Sequence, residues 1–283
     1  MTSGAPRNRP FHQVDVFSDR PYLGNPLAVV VDAEGLSGET MQHFANWTNL
    51  SETTFLLPPS DPAADYKVRI FTASEEFPFA GHPTLGSAHT WLQAGGVPKT
   101  DGVVVQECGA GLVRVKHDAG RLAFAAPPLT RSGPVSDEVR AQLAAGLRLP
   151  EEALLDTSWL VNGPAWIGVL LESAGQVLGI EPDLAAMGDL KVGVIGPHEA
   201  GSDVDFEVRT FIAHDAMTED PVTGSFNAGA AQWLIGSGRA PDEYTAAQGT
   251  ALGRAGRVHV KAEDGEIWVG GASATCIQGT VLL

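Results

Sequence analysis

The sequence predicts a mixed α and β protein of two related halves, and three internal matches in the same order carry that prediction. Asp65-Tyr66-Lys67-Val68-Arg69-Ile70-Phe71 resembles Asp205-Phe206-Glu207-Val208-Arg209-Thr210-Phe211 at an offset of 140, and both alternate large and polar residues as a half-buried strand does. Gly81-His82-Pro83-Thr84-Leu85-Gly86-Ser87-Ala88 aligns with Gly224-Ser225-Phe226-Asn227-Ala228-Gly229-Ala230-Ala231 at an offset of 143, keeping Gly, Gly and Ala in register. Gly111 to Lys116 with Gly120 and Leu122 matches Gly256 to Lys261 with Gly265 and Ile267 at an offset of 145. In each copy of this third pair a glycine turn separates two alternating strands. Offsets that drift from 140 to 145 are what small insertions between copies produce. The halves are expected at 1–128 and 129–283, with Ser132 to Glu152 as the connection.

Within each half the expected order is strands, a helix, a strand, a glycine-led helix and a hairpin. In the first half the strands are expected at Val14-Val16, Ala28-Val31, Phe55-Leu57, Val68-Phe71, Val103-Val105, Leu112-Val115 and Leu122-Phe124. Ser37 is the expected N-cap of a helix whose face carries Met41, Phe44, Ala45 and Thr48 and which ends near Asn49. The glycine-led helices are expected over Pro83 to Leu92, stopping at Gly95-Gly96, and Phe226 to Ile235, stopping before Gly236 and Gly238. Pro83 just inside its helix costs no hydrogen bond, because the amide it lacks has no intrahelical partner.

Composition removes several functions. A chain of 283 residues with 43% hydrophobic content has enough apolar material for a packed core. A formal net charge of −16 without any cluster of Lys and Arg speaks against nucleic acid or an anionic membrane as partner. Met1 to Pro10 holds no apolar stretch of signal-peptide kind, so a cytoplasmic protein is expected. The longest apolar runs, Pro26 to Val31 and Ala165 to Leu171, are far shorter than the roughly 20 residues that cross a bilayer and read as buried strands. Cys108 and Cys276 have no metal spacing and read as two buried thiols.

Four places could carry chemistry. Gly81-His82 and Gly224-Ser225 stand at the mouths of equivalent helices, where unpaired amides and a partial positive charge suit an anion such as a carboxylate. Taken singly, each glycine is as well explained by the backbone turn into a helix. Asp220, in Asp220-Pro221-Val222-Thr223-Gly224-Ser225, either orients a substrate or histidine, or forms an Asx turn that starts the helix. Glu52 lies where the first helix hands over to a strand, a place where a carboxylate is usually solvated. Enclosed in a cleft, it would instead be able to take and return a proton. His82 and His89 are seven apart, not the four of a zinc helix, and His214-Asp215 has no partner at metal spacing. No phosphate loop, dinucleotide fingerprint or Gly-x-Ser-x-Gly elbow is present.

Five segments, Val14-Asp15-Val16-Phe17, Gly24-Asn25-Pro26-Leu27-Ala28-Val29, Asn49-Leu50-Ser51-Glu52-Thr53, Phe79-Ala80-Gly81-His82-Pro83-Thr84 and Glu219-Asp220-Pro221-Val222-Thr223-Gly224-Ser225, resemble in order the motifs of the PhzF-like (phenazine biosynthesis) family. The resemblance runs over nearly the whole chain. It implies an α+β, diaminopimelate-epimerase-like fold of two pseudo-symmetric halves, each a mostly antiparallel sheet or barrel wrapped around a central helix, with the active site in the cleft between them. It further implies a cofactor-independent isomerase and a homodimer. On that resemblance Glu52 is the catalytic acid/base, while Gly81, His82, Asp220, Gly224 and Ser225 bind a small carboxylate substrate. Related epimerases of this fold use two cysteines, and Gly81 and Gly224 stand in those places here, which disfavours a two-thiol inversion. The alternative is a protein that keeps the fold and binds a small ligand or partner without turnover. The resemblance does not select a substrate.

Overall fold

The computed structural model describes residues 6–118, 120–213 and 218–283. The chain divides into two compact units, Met1–Ala125 with Gly270–Leu283, and Ala126–Val269.

The first unit opens with β1 (Asn8–Val16) and β2 (Asn25–Val30), an antiparallel pair, and α1 (Gly38–Thr48) leads into β3 (Glu52–Leu57), parallel to β2. β4 (Tyr66–Phe71) runs antiparallel to β3 and to the short β5 (Glu76–Phe77). After α2 (Gly81–Gln93) come β6 (Val103–Cys108), parallel to β4, and then the antiparallel β7 (Gly111–Asp118) and β8 (Arg121–Ala125). Ser37 caps α1 by accepting from the Thr40 amide at 3.1 Å, and Asn49 ends it in a left-handed conformation with φ 54°, both as the sequence predicts. Met41, Phe44 and Ala45 bury the apolar face of α1 against Val30, Phe55 and Phe71. α2 touches β1, β2, β3, β4, β6, β7 and β8, so the sheet wraps it, and polar residues on it are matched inside: Ser87 Oγ donates to Thr54 Oγ1 at 3.0 Å, and Gln106 Nε2 donates to Thr84 Oγ1 at 3.0 Å.

The second unit repeats the plan. β9 (Arg131–Gly133) leads through α3 (Asp137–Leu147) to β10 (Asp156–Val161), which is antiparallel to β9 and to β11 (Ala165–Leu170). α4 (Ala174–Leu178) and α5 (Leu184–Met187) carry the chain to β12 (Lys191–Pro197), parallel to β11, and β13 (Phe206–Ile212) returns antiparallel. α6 (Gly224–Gly236) precedes β14 (Glu243–Gln248), parallel to β13, then β15 (Gly256–Glu263), antiparallel to β14, and β16 (Glu266–Gly271). Asp264 and Gly265 join the last two with φ of 54° and 79°, the positive pair that a two-residue turn of the I′ kind demands. The order of parallel and antiparallel steps from β11 to β15 is that from β2 to β7, and both central helices have 13 residues.

Two features place the repeat at residue level. Asp65 donates its amide to the Val105 carbonyl and accepts the Val105 amide on Oδ2, both at 2.7 Å; Asp205 does the same with Thr245, both at 2.8 Å. The carboxylate thus extends the parallel ladder at the start of β4 and of β13. Gly86 and Gly229, aligned in the sequence, hold their helices close to the sheet: a Cβ on Gly86 would meet Leu27 Cδ2 at 2.6 Å, and one on Gly229 would meet Leu160 Cβ at 3.0 Å.

The last strand, β17 (Ser273–Leu282), goes back to the first unit and pairs antiparallel along the whole of β1. Against the expected halves of 1–128 and 129–283, the division therefore falls after Ala125, and Gly270–Leu283 joins the first unit because its hydrogen bonds are to β1. Ser132 to Glu152, expected as a connection, contains α3, whose Leu143 and Leu147 are fully buried among Ile167, Val169 and Val192. Cys108 is buried as expected, whereas Cys276 on β17 is only partly so. Among the described residues no helix is long and apolar enough to cross a membrane.

Gly193 on β12 leaves room for a side chain of α6: a Cβ there would stand 2.0 Å from Cε2 of Phe226. Phe226 is fully buried edge-on against Trp166. Gly193→Ala must displace that ring, and a loss of about 2–3 kcal/mol is expected, read as a lower urea midpoint with unchanged slope. An unchanged midpoint would show that α6 is free to shift.

Candidate active site

Four of the five motifs meet in the first unit. Asp15, 2% exposed, accepts the Gly24 amide on Oδ2 at 3.1 Å, which ties the end of β1 to the start of β2. Glu52 is the first residue of β3, in register with Leu27, so it is part of the strand and not of the loop before it. His82 is the second residue of α2 and is 4% exposed. Its ring donates to the Pro26 carbonyl, its Nδ1 lies 3.5 Å from Glu52 Oε2, and its Nε2 is buried without a hydrogen-bond partner among the described residues. At that separation the contact with Glu52 is too long for a strong hydrogen bond.

Electrostatics decides which of the two carries charge. Burial pushes the His82 pKa down to about 3, only partly opposed by the hydrogen bond to Pro26. The imidazole is neutral near pH 7, so the His82–Glu52 contact is a neutral ring beside a carboxyl group and not an ion pair. The Glu52 side chain keeps 14% of its surface, against the solvated position expected of a carboxylate at such a junction.

α2 and α6 both begin without a side-chain cap, at Ala80 and Thr223, which leaves their first amides to other partners. In the second unit a buried network braces the segment before α6. Thr223 Oγ1 donates to Asp220 Oδ2 at 2.6 Å and lies 2.7 Å from Thr210 Oγ1. Gln248 Nε2 donates to the Asp220 carbonyl at 3.1 Å and to Thr223 Oγ1 at 3.0 Å, while Gln248 Oε1 accepts the Thr223 amide and Asn227 Nδ2, both at 2.9 Å. Asp220 thus accepts a side-chain bond from Thr223, three residues on, and its carboxylate is oriented by that bond. Ser225 follows Gly224 at the mouth of α6; its Oγ accepts from Trp166 Nε1 at 2.9 Å, which directs the hydroxyl proton to another acceptor.

Glu52 and His82 come together in the first unit, with Gly81 next to His82; Asp220, Gly224 and Ser225 come together in the second. His89, seven residues beyond His82, bonds Thr275 Oγ1 through Nε2 at 3.0 Å. His214 and Asp215 lie outside the described residues, and among the described residues no group of three or more His, Cys, Asp or Glu is placed to hold a metal ion. Thr210, Gln248, Asn227 and Trp166 escaped the sequence reading. They lie on other strands or the helix interior, and no local spacing ties them to Asp220.

A carboxyl group beside a neutral imidazole is chemically able to move a proton, and relatives of this chain are named isomerases. The chain belongs to the phenazine biosynthesis-like protein (PhzC-PhzF) family, whose model matches residues 14–280. It is 36% identical to the "Antisense-enhancing sequence 1" protein of Schizosaccharomyces pombe, over 95% of this chain and 97% of that one. It is 31% identical to the trans-2,3-dihydro-3-hydroxyanthranilate isomerase of Pseudomonas aeruginosa, over 88% of this chain and 89% of the other. Among solved structures, a PhzF-family phenazine biosynthesis protein of Enterococcus faecalis superposes with a TM-score of 0.81 at 25% identity, covering 98% of this chain and 100% of that one. A probable proline racemase from Agrobacterium radiobacter shares the fold at a TM-score of 0.60 and 15% identity, covering 97% and 93%.

Proposed function

We propose that the chain is a cofactor-independent isomerase that shifts a proton between two carbons of one small carboxylate-bearing substrate, with Glu52 as the group that takes and returns it. The observation that carries this reading is the Glu52 carboxyl group set 3.5 Å from the buried ring of His82. With its pKa pushed down to about 3 by burial the ring is a poor base, which leaves the carboxyl group beside it as the acid/base of the pair. His82, Asp220, Ser225 and the amides of Gly81 and Gly224 then hold and polarise the substrate. An uncapped helix mouth, as α2 and α6 each have, suits a carboxylate, and Asp220, acceptor by nature when ionised, suits an amine or hydroxyl. One carbon gives its proton to Glu52; the electron pair moves through the adjoining unsaturated system; a second carbon takes the same proton back, so no net proton is gained or lost. A homodimeric assembly is part of the proposal and rests on the family resemblance alone.

The test uses trans-2,3-dihydro-3-hydroxyanthranilate as probe, because a relative is named for acting on it. In deuterium oxide the isomerase reading expects product carrying deuterium at the carbon that receives the proton, at a level set by exchange of the carboxyl proton with solvent. A panel of small amino and hydroxy carboxylates extends the search if that probe is inert. The second reading is a protein that binds a small ligand without turnover. A ligand that raises the melting temperature yet shows neither exchange nor conversion would favour it.

A further inference from the structure

Each unit contains an arginine that grips a glutamate with both of its parallel donors, just before the central helix. Arg69 on β4 donates from Nε to Glu76 Oε1 at 2.7 Å and from Nη2 to Oε2 at 2.6 Å. Arg209 on β13 donates from Nε to Glu219 Oε1 and from Nη2 to Oε2, both at 2.8 Å. Both guanidinium groups lie over the phenylalanine two residues on, Phe71 at 5.0 Å and Phe211 at 4.9 Å. Each glutamate pairs with that same phenylalanine as a strand partner, Glu76 with Phe71 and Glu219 with Phe211. Arg69 and Arg209 stand at one position of the repeat, and the clamp is therefore a repeated device.

The two copies differ in what surrounds them. The side chains of Arg69 and Glu76 are 29% and 41% exposed, so water can replace much of what the pair supplies. Those of Arg209 and Glu219 are 7% and 14% exposed, and Arg209 spends Nη1 on the Ile180 carbonyl at 2.7 Å and the Val177 carbonyl at 3.3 Å, at the end of α4. A bidentate, partly desolvated pair is a stiff connection. Glu219 is joined directly to Asp220, whose amide donates to the Thr210 carbonyl at 3.2 Å, so adjacent residues of β13 hold adjacent residues of the loop. The Thr210–Thr223–Gln248 network then fixes the other end of the segment.

We infer that Arg209 and Glu219 are positioning residues: the buried clamp sets the direction of the Asp220 carboxylate and the first turn of α6, while Arg69–Glu76 is its solvent-exposed counterpart in the first unit. The inference rests on the substrate-holding role proposed for Asp220, but its test is independent of turnover. Amide hydrogen exchange is compared for wild type, Glu219→Gln, Arg209→Lys and Glu76→Gln, and the Asp220 carboxyl titration is followed by carbon NMR with Asp220→Asn for assignment. Loss of a charge-assisted pair is expected to speed exchange of the Asp220 and Thr223 amides on the order of tenfold in the first two variants, with the rest of the second unit unchanged. The Asp220 titration midpoint is expected to move in Arg209→Lys, which keeps the formal charge beside it, and to stay in Glu76→Gln. Exchange that rises evenly through the second unit, or an Asp220 midpoint that does not move, would overturn the positioning role and leave only a structural one. Where wild type converts the anthranilate probe, kcat/KM falls in Glu219→Gln and Arg209→Lys alike. Where it does not, the proposed function fails on that probe, and exchange and titration still decide the clamp.

Discussion

Glu52→Gln is expected to lower the rate of proton transfer by roughly 10²–10⁴-fold, the usual contribution of a positioned acid/base, with the fold intact. The change is close to isosteric at the first position of β3, where the backbone pairing to Leu27 does not depend on the side chain. An amide neither accepts nor returns a proton at neutral pH, whereas shape and the neighbourhood of His82 are kept. The measurement is solvent deuterium incorporation into whichever carboxylate the wild type converts, with a thermal melt on both proteins. Equal exchange by the two would remove Glu52 from the mechanism and move the search to Asp220. His82→Gln should behave differently: it keeps a donor for Pro26, so part of the activity is expected to survive. A loss as large as that of Glu52→Gln would mean the ring itself carries the proton.

Acid sensitivity is the second large expected effect. The folded-state pKa of His82, about 3, lies below the ordinary 6.5, so between those values the unfolded chain binds the proton and the folded one does not. Stability is then lost as pH falls below about 6.5, at up to ~1.4 kcal/mol per unit from this residue. Burial shifts His12 and His89 in the same direction, and these add with the same sign. Glu107, whose pKa is lowered to about 2 chiefly by Lys67 and Ser60, loses its contribution only below the ordinary carboxylate range, so it adds little to a comparison of pH 7 with pH 5. Urea unfolding of wild type and His82→Gln at those two pH values should show a stability drop about 2 kcal/mol smaller in the variant. The same drop in both would mean that water reaches the ring and the folded state protonates it.

The repeat was legible because it is written in strand and turn chemistry that each copy must satisfy by itself. Asp65 and Asp205, and Arg69 and Arg209, are repeated letters in the sequence, and each pair proves to make one contact twice. The offset-140 match already contained both arginines and both aspartates. Their glutamate partners stand at offset 143, beyond the insertion, where no strand pattern points to them. α1 with its Ser37 cap and Asn49 end was equally plain, since capping is decided within one turn.

What the sequence by itself determined is the two-fold plan, most of the strands and helices, and the family with the residue types it brings to a site. Only the tertiary structure decided that the final strand returns to β1, that Ser132 to Glu152 holds a helix packed into the core of the second unit, and that Thr210 and Gln248 brace Asp220. It also decided the pairing of Glu52 with His82 and the neutral state of that ring. Their closeness joins β3 to α2 across 30 residues of chain, and the neutral ring follows from burial by strands that no local pattern places around it. Periodicity and capping act over a few residues and can be read in order; desolvation and long-range pairing exist only once distant segments have closed around the group.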